Sequence, residues 1–199
     1  MSAEKGSQRD PRYDGFRLVL ALSALMWVSE IVDTIVNHHL DRYGIEPHSA
    51  DGLTGIITAP FLHAGFDHLI SNTIPFLLLG FAIALGGAVR VALVTAIVMG
   101  VGGLGTWVFA SSGTDHIGAS GVVFGYASYL VSPGIFNRSL LELAMGAVVV
   151  AIWGGALLSG LAPQEGISWQ GHLFGAIGGI VAARVLDARA TRPPSRAAS

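Results

Sequence analysis

The sequence predicts an all-α polytopic membrane protein with six transmembrane helices, and three observations lead to that prediction. Hydrophobic residues make up 52% of the 199 positions, charged residues only 12%, and the mean hydropathy is +0.61. A soluble domain carries about 25% charged residues. Glycine occurs 27 times, which suits membrane helices because small residues allow close helix packing. Cysteine is absent, so disulfides, iron–sulfur clusters and cysteine-ligated zinc are excluded.

Six apolar runs approach the roughly 20 residues that a helix needs to cross a hydrocarbon core. They are Phe16–Val36, Asp67–Leu85, Val89–Ala110, Ile117–Val131, Leu140–Ser159 and Trp169–Leu186. The fourth run is short. The first is too long for a signal peptide and has no small-residue cleavage site. We therefore expect one membrane domain over residues 16–187, with polar cytoplasmic tails at residues 1–15 and 188–199.

The basic residues predict the orientation of these spans. All of the 11 lysines and arginines except Arg42 fall on one side of the predicted bundle. Basic residues concentrate on the cytoplasmic side of membrane proteins, so both termini are expected in the cytoplasm. The longest outer loop, residues 37–66, contains His38, His39 and His48, which we expect to be solvated. Its apolar second half is expected to form short helices in the membrane interface.

Four polar side chains lie inside the predicted spans, where polar residues are candidates for function. His68 and Asn72 are one helical turn apart on span two, Ser120 is on span four and His172 is on span six. These three spans run in the same direction. Asn72, Ser120 and His172 each lie about 14 residues, or about 20 Å, from the cytoplasmic end of their span. In a core about 30 Å thick, the three side chains therefore share one level, about 10 Å below the outer surface.

The stretch GASG places Ser120 where a helix would begin. The first N–H groups of a helix lack intrahelical partners, and its N-terminus carries partial positive charge. Both features stabilise an oxyanion. Small residues recur every four positions on spans four and six, at Gly121, Gly125, Gly171, Gly175 and Gly179. Such stripes allow helices to cross closely, which would bring the imidazole of His172 to the hydroxyl of Ser120 as base and nucleophile. No acidic third member is evident.

Each of these residues also has a purely structural interpretation. A serine in a membrane helix often bonds to its own backbone. His172 could join two helices, and His68 with Asn72 could form a structural hydrogen-bonded patch. The joint occurrence of all four at one depth favours a site.

Three sequence motifs carry these residues, in order along the chain: FLHAGFDHLISN, GASG and GHLFGAIGG. They resemble, respectively, the second-helix signature, the fourth-helix Gly-x-Ser-Gly and the sixth-helix histidine of the rhomboid family of intramembrane serine proteases. The resemblance extends over all six predicted spans, from about Phe16 to Leu186. It implies a rhomboid-like bundle whose fourth helix is short and recessed.

The resemblance also implies a chemistry. Ser120 would be the nucleophile and His172 the base, without a conventional acid. His68, Asn72 and the backbone N–H of Ser120 would hold the oxyanion. The partners would be the lipid bilayer and, as substrates, single-span membrane proteins cut near the outer membrane boundary at a small residue. No metal, cofactor or nucleic acid is implied, and a bacterial plasma membrane is the expected location.

By the same resemblance, further residues would support the site without reacting. Phe124 would pack against the imidazole, His63 would order the start of the second helix, Gly118 and Ala119 would shape the substrate-binding backbone, and Gly121 completes the serine motif. The sequence departs from many bacterial members in two places. Its first outer loop has no Trp-Arg pair, and Asp67 stands where an apolar residue is more usual; we expect Asp67 in the interface.

Other functional classes have weaker support. The metalloprotease motif HExxH is absent. An aspartyl protease would need carboxylates on two spans, whereas Glu30 and Asp33 both lie on span one. A histidine-lined transporter would need paired broken helices, which are not evident. The alternative kept open is a catalytically silent rhomboid-like protein that binds transmembrane substrates.

Overall fold

The fold was analysed in a computed structural model, which describes residues 10–137, 140–164 and 166–190. That part of the chain contains seven α-helices and no β-strand. They are α1 (Pro11–Ile35), α2 (Gly55–Thr58), α3 (Phe66–Ala84), α4 (Ala88–Phe109), α5 (Ser120–Asn137), α6 (Leu140–Gly160) and α7 (Trp169–Ala190). Three short 3-10 turns, Asp41–Tyr43, Asp51–Leu53 and Ala59–Phe61, lie between α1 and α3. The short helices expected in the apolar half of this segment are therefore present.

Four of the long helices are apolar enough to cross a membrane. Among the described residues these are α1, α3, α4 and the part of α6 from Leu143 to Gly160. The all-helical prediction is confirmed, whereas the count of six spans stays a prediction for α5 and α7. These two helices pack against each other more extensively than any other pair, and Ser128 of α5 donates to the Ala176 carbonyl of α7 at 2.7 Å. Helices that face protein can carry such polar residues where lipid-facing helices cannot.

The first and last long helices extend beyond the predicted spans. α1 begins at Pro11 rather than at Phe16, because Asp10 caps it by accepting the N–H of Arg12 at 3.0 Å. Proline suits the first helical position, since its ring fixes φ and its missing N–H has no partner there. At the other end of the chain, α7 continues to Ala190, past the predicted end of span six.

Helix α5 also differs from its predicted bounds. It begins at Ser120 rather than Ile117, so the serine is its first residue, and it continues past Pro133 to Asn137. Proline removes one helical hydrogen bond, but membrane helices tolerate it where neighbouring groups satisfy the freed carbonyl. With 18 residues, α5 is the shortest of the six long helices, as the sequence predicted for span four.

All six long helices contribute buried residues to the core. Tyr126 is completely buried at its centre, stacked on Phe76 with ring centroids 5.5 Å apart. Its hydroxyl lies 2.6 Å from Oγ1 of Thr95, which satisfies the buried polar group. Large apolar side chains also cover the outside; Val89, Ile35 and Leu158 are each more than 70% exposed. Apolar surfaces on both the inside and the outside are what a lipid environment requires.

The ends of the helices place the polar residues together. Helices α3, α5 and α7 all begin at the end of the bundle where α1 finishes. The segment that follows α1 reaches the loop before α5, and Ile45 and His116 exchange two backbone hydrogen bonds of 2.9 and 3.0 Å. This isolated β-bridge holds the loop that leads into Ser120.

Candidate active site

The hydroxyl of Ser120 and the imidazole of His172 are in direct contact. Oγ of Ser120 lies 2.8 Å from Nε2 of His172. Ser120 opens α5, and His172 lies in the first turn of α7, with only 8% of its surface exposed. The contact expected from the matched depths and the glycine stripes is therefore present.

Two neighbours fix the orientation of the His172 ring. Its Nδ1 lies 2.7 Å from the carbonyl oxygen of Gly160. A carbonyl can only accept, so Nδ1 carries the hydrogen and Nε2 of the neutral ring keeps its lone pair. The hydroxyl of Ser120 can then donate to Nε2. Phe124 stacks on the imidazole, with centroids 4.2 Å apart and planes inclined by 6°, so the ring cannot rotate out of line.

Glycines make these close approaches sterically possible. A Cβ atom on Gly160 would lie 2.7 Å from Cζ of Phe124 and 2.9 Å from Nδ1 of His172. A Cβ atom on Gly175 would lie 2.8 Å from the carbonyl carbon of Gly121. All three separations are shorter than ordinary van der Waals contact. The glycines of α5 and α7 therefore form the close helix crossing that the sequence predicted.

His68 and Asn72 lie one turn apart on α3, and each already makes one side-chain hydrogen bond. Asn72, 4% exposed, donates one of its two Nδ2 hydrogens to the carbonyl of His68 at 2.8 Å. Nδ1 of His68 accepts a long hydrogen bond of 3.4 Å from the N–H of Ala64, which leaves the hydrogen on Nε2. That ring faces Gly118, whose φ of 108° favours glycine and whose added Cβ would lie 2.8 Å from Nε2.

His63 supports the loop before the serine from inside the protein. It is completely buried, its Nε2 lies 3.5 Å from the N–H of Ala119, and its ring meets that of His68 with centroids 5.2 Å apart. Burial, and then the charge of His68, lower the pKa of His63 to about 4. The nearby backbone of Phe61 opposes this shift only weakly, and Nδ1 has no hydrogen-bond partner. His63 is therefore neutral near pH 7 and can accept from Ala119.

A row of hydrogen-bonded side chains, which the sequence analysis did not single out, connects the loop before α5 to the start of α7. Oγ of Ser168 accepts from the N–H of Gly171 at 3.2 Å and so caps α7. The same oxygen lies 2.6 Å from Nδ1 of His116, whose Nε2 lies 2.9 Å from Oγ1 of Thr114. A serine three residues before Gly171 is a recognisable cap signal, but no sequence pattern predicts its bond to His116. Burial lowers the pKa of His116, which favours the neutral ring in this chain.

A small cavity opens beside Ser120, between α4, α5 and α7. Its volume is about 50 Å³, enough for a water molecule or a small side chain. Glycines on three helices line it: Gly102, Gly103, Gly121 and Gly171. Because these residues have no side chains, the space beside the hydroxyl stays open.

A second polar cluster lies at the end of α1, outside this site. Glu30 and Asp33 are buried, with 0% and 1% of their surfaces exposed. His38 is half-exposed, and its Nδ1 lies 3.3 Å from Oδ2 of Asp33 and 3.9 Å from Oδ2 of Asp41. Partial burial and the charge of Asp33 raise the pKa of Asp41 to about 6. The outer-loop histidines are exposed as predicted, but His38 belongs to this cluster and is not simply solvated.

Two other polar residues in this region have predictions to compare: His48 was expected to be solvated and Asp67 to lie in the membrane interface. His48 is exposed, and its Nδ1 lies 2.8 Å from Oγ of Ser112. Asp67 is exposed in the first turn of α3, where a negative charge interacts favourably with the helix dipole.

Comparison with known proteins identifies the family. A family model described as the Rhomboid domain matches residues 50–189. The chain belongs to the rhomboid family. It is 44% identical over 182 residues to the protein Rv1337 of Mycobacterium tuberculosis, covering 87% of this chain and 76% of that protein. It is also 29% identical over 181 residues to the putative rhomboid protease YdcA of Bacillus subtilis, covering 85% and 86%.

Family membership agrees with the composition of the helices, and this rhomboid is an integral membrane protein of a protease family. Most residues to which the resemblance gives a role lie at one end of the bundle. His172 contacts both Ser120 and Phe124, and His68 and His63 contact the loop just before the serine. No acidic partner of His172 was predicted, and its Nδ1 is bonded to the Gly160 carbonyl.

Proposed function

We propose that this rhomboid is an intramembrane serine endopeptidase that uses Ser120 and His172 as a catalytic dyad. The observation that carries the proposal is the 2.8 Å contact between Oγ of Ser120 and Nε2 of His172. In the tautomer that the Gly160 carbonyl selects, that nitrogen accepts a proton. A serine that merely bonded its own backbone would not need an imidazole held in this orientation.

The reaction follows from the positions of these atoms. Nε2 of His172 takes the proton of the Ser120 hydroxyl as Oγ attacks the carbonyl carbon of the scissile peptide bond. The resulting imidazolium is stabilised by the Gly160 carbonyl at Nδ1. Nε2 then gives its proton to the leaving amine, and the C–N bond breaks to leave an ester on Ser120. A water molecule, deprotonated by the same nitrogen, hydrolyses the ester and restores the hydroxyl.

The oxyanion would be held by donors at the start of α5 and on α3. The N–H of Ser120 lies in the first turn of α5, where helical N–H groups lack intrahelical acceptors. Nε2–H of His68 faces the loop at Gly118, and Asn72 retains one amide hydrogen. Such donors stabilise charge that develops only in the transition state.

Substrates of this enzyme would be single-span membrane proteins. The glycine-lined cavity of about 50 Å³ beside Ser120 suits a small residue next to the cleaved bond.

The basic residues favour six spans with both termini in the cytoplasm of a bacterial cell, so cleavage would occur near the outer face of the plasma membrane. Reporter fusions at residue 199 and within residues 41–51 should then report opposite sides, and a same-side result would overturn this topology.

The dyad is tested by replacing its nucleophile. Ser120→Ala should abolish cleavage of a model transmembrane substrate by the purified protein, with folding intact. Ser128→Ala is a matched control on the same helix, because that hydroxyl bonds only the carbonyls of Gly125 and Ala176. The control should keep its activity while losing about 1 kcal/mol of stability with the hydrogen bond.

A serine-directed fluorophosphonate separates an enzyme from a silent binding protein. The wild type and Ser128→Ala should be labelled, whereas Ser120→Ala should not. Full proteolytic activity in Ser120→Ala, or an unlabelled wild type that still binds substrate, would refute the proposed mechanism.

A further inference from the structure

The polar cluster at the end of α1 has the composition of a metal site. It contains Glu30 and Asp33 on α1, His38 in the turn that follows, and Asp41 at the start of the next 3-10 turn. One donor atom from each of Asp33, His38 and Asp41 lies within 4.8 Å of the other two. The chain returns over the end of α1 because Asn37 and His38 adopt left-handed φ values of 54° and 58°.

The buried oxygens of this cluster provide a second, independent observation. Both carboxylate oxygens of Glu30, which is completely buried, lack a hydrogen-bond partner, and so does Oδ2 of Asp33. Glu30 is not one of the three residues whose donor atoms lie within 4.8 Å of one another, but its charge helps to raise the pKa of Asp41. Burying a carboxylate without a partner is costly. Glu30 is such a group, and Asp33 accepts a hydrogen bond only at Oδ1, from the Leu40 N–H at 2.6 Å. The free oxygens beside the imidazole of His38 therefore point to a cation between them.

We propose that Asp33, His38 and Asp41, with Glu30 as a buried negative charge behind them, bind one divalent transition-metal ion, for which Zn²⁺ has the most suitable ligand preferences. Zn²⁺ accepts imidazole nitrogen and carboxylate oxygen in a four-coordinate shell. Ca²⁺ and Mg²⁺ prefer oxygen alone. The half-exposed His38 and the Asp41 side chain, 28% exposed, give the ion a route from the surface, while Glu30 and Asp33 form the buried side.

The ion would act on structure and not on chemistry, so this inference goes beyond the proposed protease function. Asp41–Tyr43 leads directly to Ile45, which pairs with His116 ahead of Ser120. An ion bound to Asp33 and Asp41 would tie this loop to α1. The dyad itself uses no metal, so proteolysis does not depend on the ion for any chemical step.

Zn²⁺ binding can be measured on the full-length protein in detergent, after chelation and removal of the chelator. Competition with a chromophoric chelator should show one Zn²⁺ per chain. Zn²⁺ at about 100 times its Kd should raise the Tm by about 5–10 °C. His38→Ala and Asp41→Asn should each weaken binding at least tenfold. The matched control is His39→Ala, because this neighbouring exposed histidine bonds the Val36 carbonyl and lies outside the cluster.

Glu30→Gln keeps the proposal testable if other variants fold poorly. Removing an unpaired buried carboxylate should raise the Tm of the metal-free protein and lower its affinity for Zn²⁺. If the cluster instead holds a proton shared between Asp33 and Asp41, Glu30→Gln would still raise the Tm, but no variant would bind Zn²⁺. The proposal is overturned by failure of the wild type to bind, by unchanged affinity in His38→Ala, or by an equal loss in His39→Ala.

Discussion

Replacing Gly160 by alanine should lower the activity of the candidate active site although no polar residue is mutated. The added methyl group would lie 2.7 Å from Cζ of Phe124 and 2.9 Å from Nδ1 of His172. Neither neighbour can swing away freely, because the two rings are stacked and the imidazole is bonded to the Gly160 carbonyl. The imidazole must therefore move relative to the hydroxyl of Ser120.

The size of the effect follows from these distances. Ordinary contact begins near 3.4 Å, so the methyl group displaces the rings by about 0.5–0.7 Å. Misplacement of a reacting group by about 1 Å can cost a factor of about 100 in rate. We therefore expect kcat to fall about 10- to 100-fold in Gly160→Ala. Overpacking of this kind should also cost about 1–3 kcal/mol of stability.

The assay is cleavage of a transmembrane substrate in detergent, with kcat, KM and Tm measured on the same preparations. Gly155→Ala is the control on the same helix, since nothing lies within 4 Å of its added methyl group. It should keep full activity and gain up to about 1 kcal/mol from helix propensity. Equal activity of Gly160→Ala and Gly155→Ala would show that the His172–Gly160 contact is not part of the working enzyme.

Two further predictions concern the groups around the dyad. Asn72→Ala should lower kcat on the order of 10²- to 10³-fold, or less if His68 shares the charge, and raise KM little; an effect on KM alone would assign Asn72 to substrate positioning. The lowered pKa of His63 predicts that its stabilising contribution, complete above pH 6.5, is lost as the pH falls through about 4. The loss is on the order of 3 kcal/mol at most, and chemical denaturation across that pH range should show it. A His63→Gln variant should show a flatter profile, and equal profiles would contradict the assignment.

The sequence predicted the contact at the centre of the site because its determinants are local. The position of Ser120 in its span, the depth of His172 and the glycines of α5 and α7 can all be read from spacing. The helix ends were less accurate. Asp10 and Pro11 start α1 before its apolar residues begin, so hydropathy alone places the helix start too late. Pro133 lies inside α5 and does not end it, because a proline can be accommodated within a membrane helix.

Other partners could not be predicted because they come from distant segments. The Gly160 carbonyl reaches His172 across the loop between α6 and α7, and Ser168 meets His116 from another loop. Periodicity carries no information about such pairs. His38 was expected to be solvated for the same reason, since only the folded turn brings it over Asp33. Local spacing thus identified the two residues that we propose react, while the groups that support them required the three-dimensional fold.

The bond between Nδ1 of His172 and the carbonyl of Gly160 has a consequence for genetics. When a carboxylate orients a histidine, mutating that acid reveals it. A main-chain oxygen persists through every amino-acid replacement. An alanine scan of all polar side chains could therefore detect the proposed nucleophile and base but not the carbonyl that bonds Nδ1. Only an amide-to-ester exchange between residues 160 and 161, or crowding at 160, would expose it. In the sequence, the sign of this partner is that residue 160 is a glycine, whose lack of a Cβ atom leaves room for Phe124 and His172.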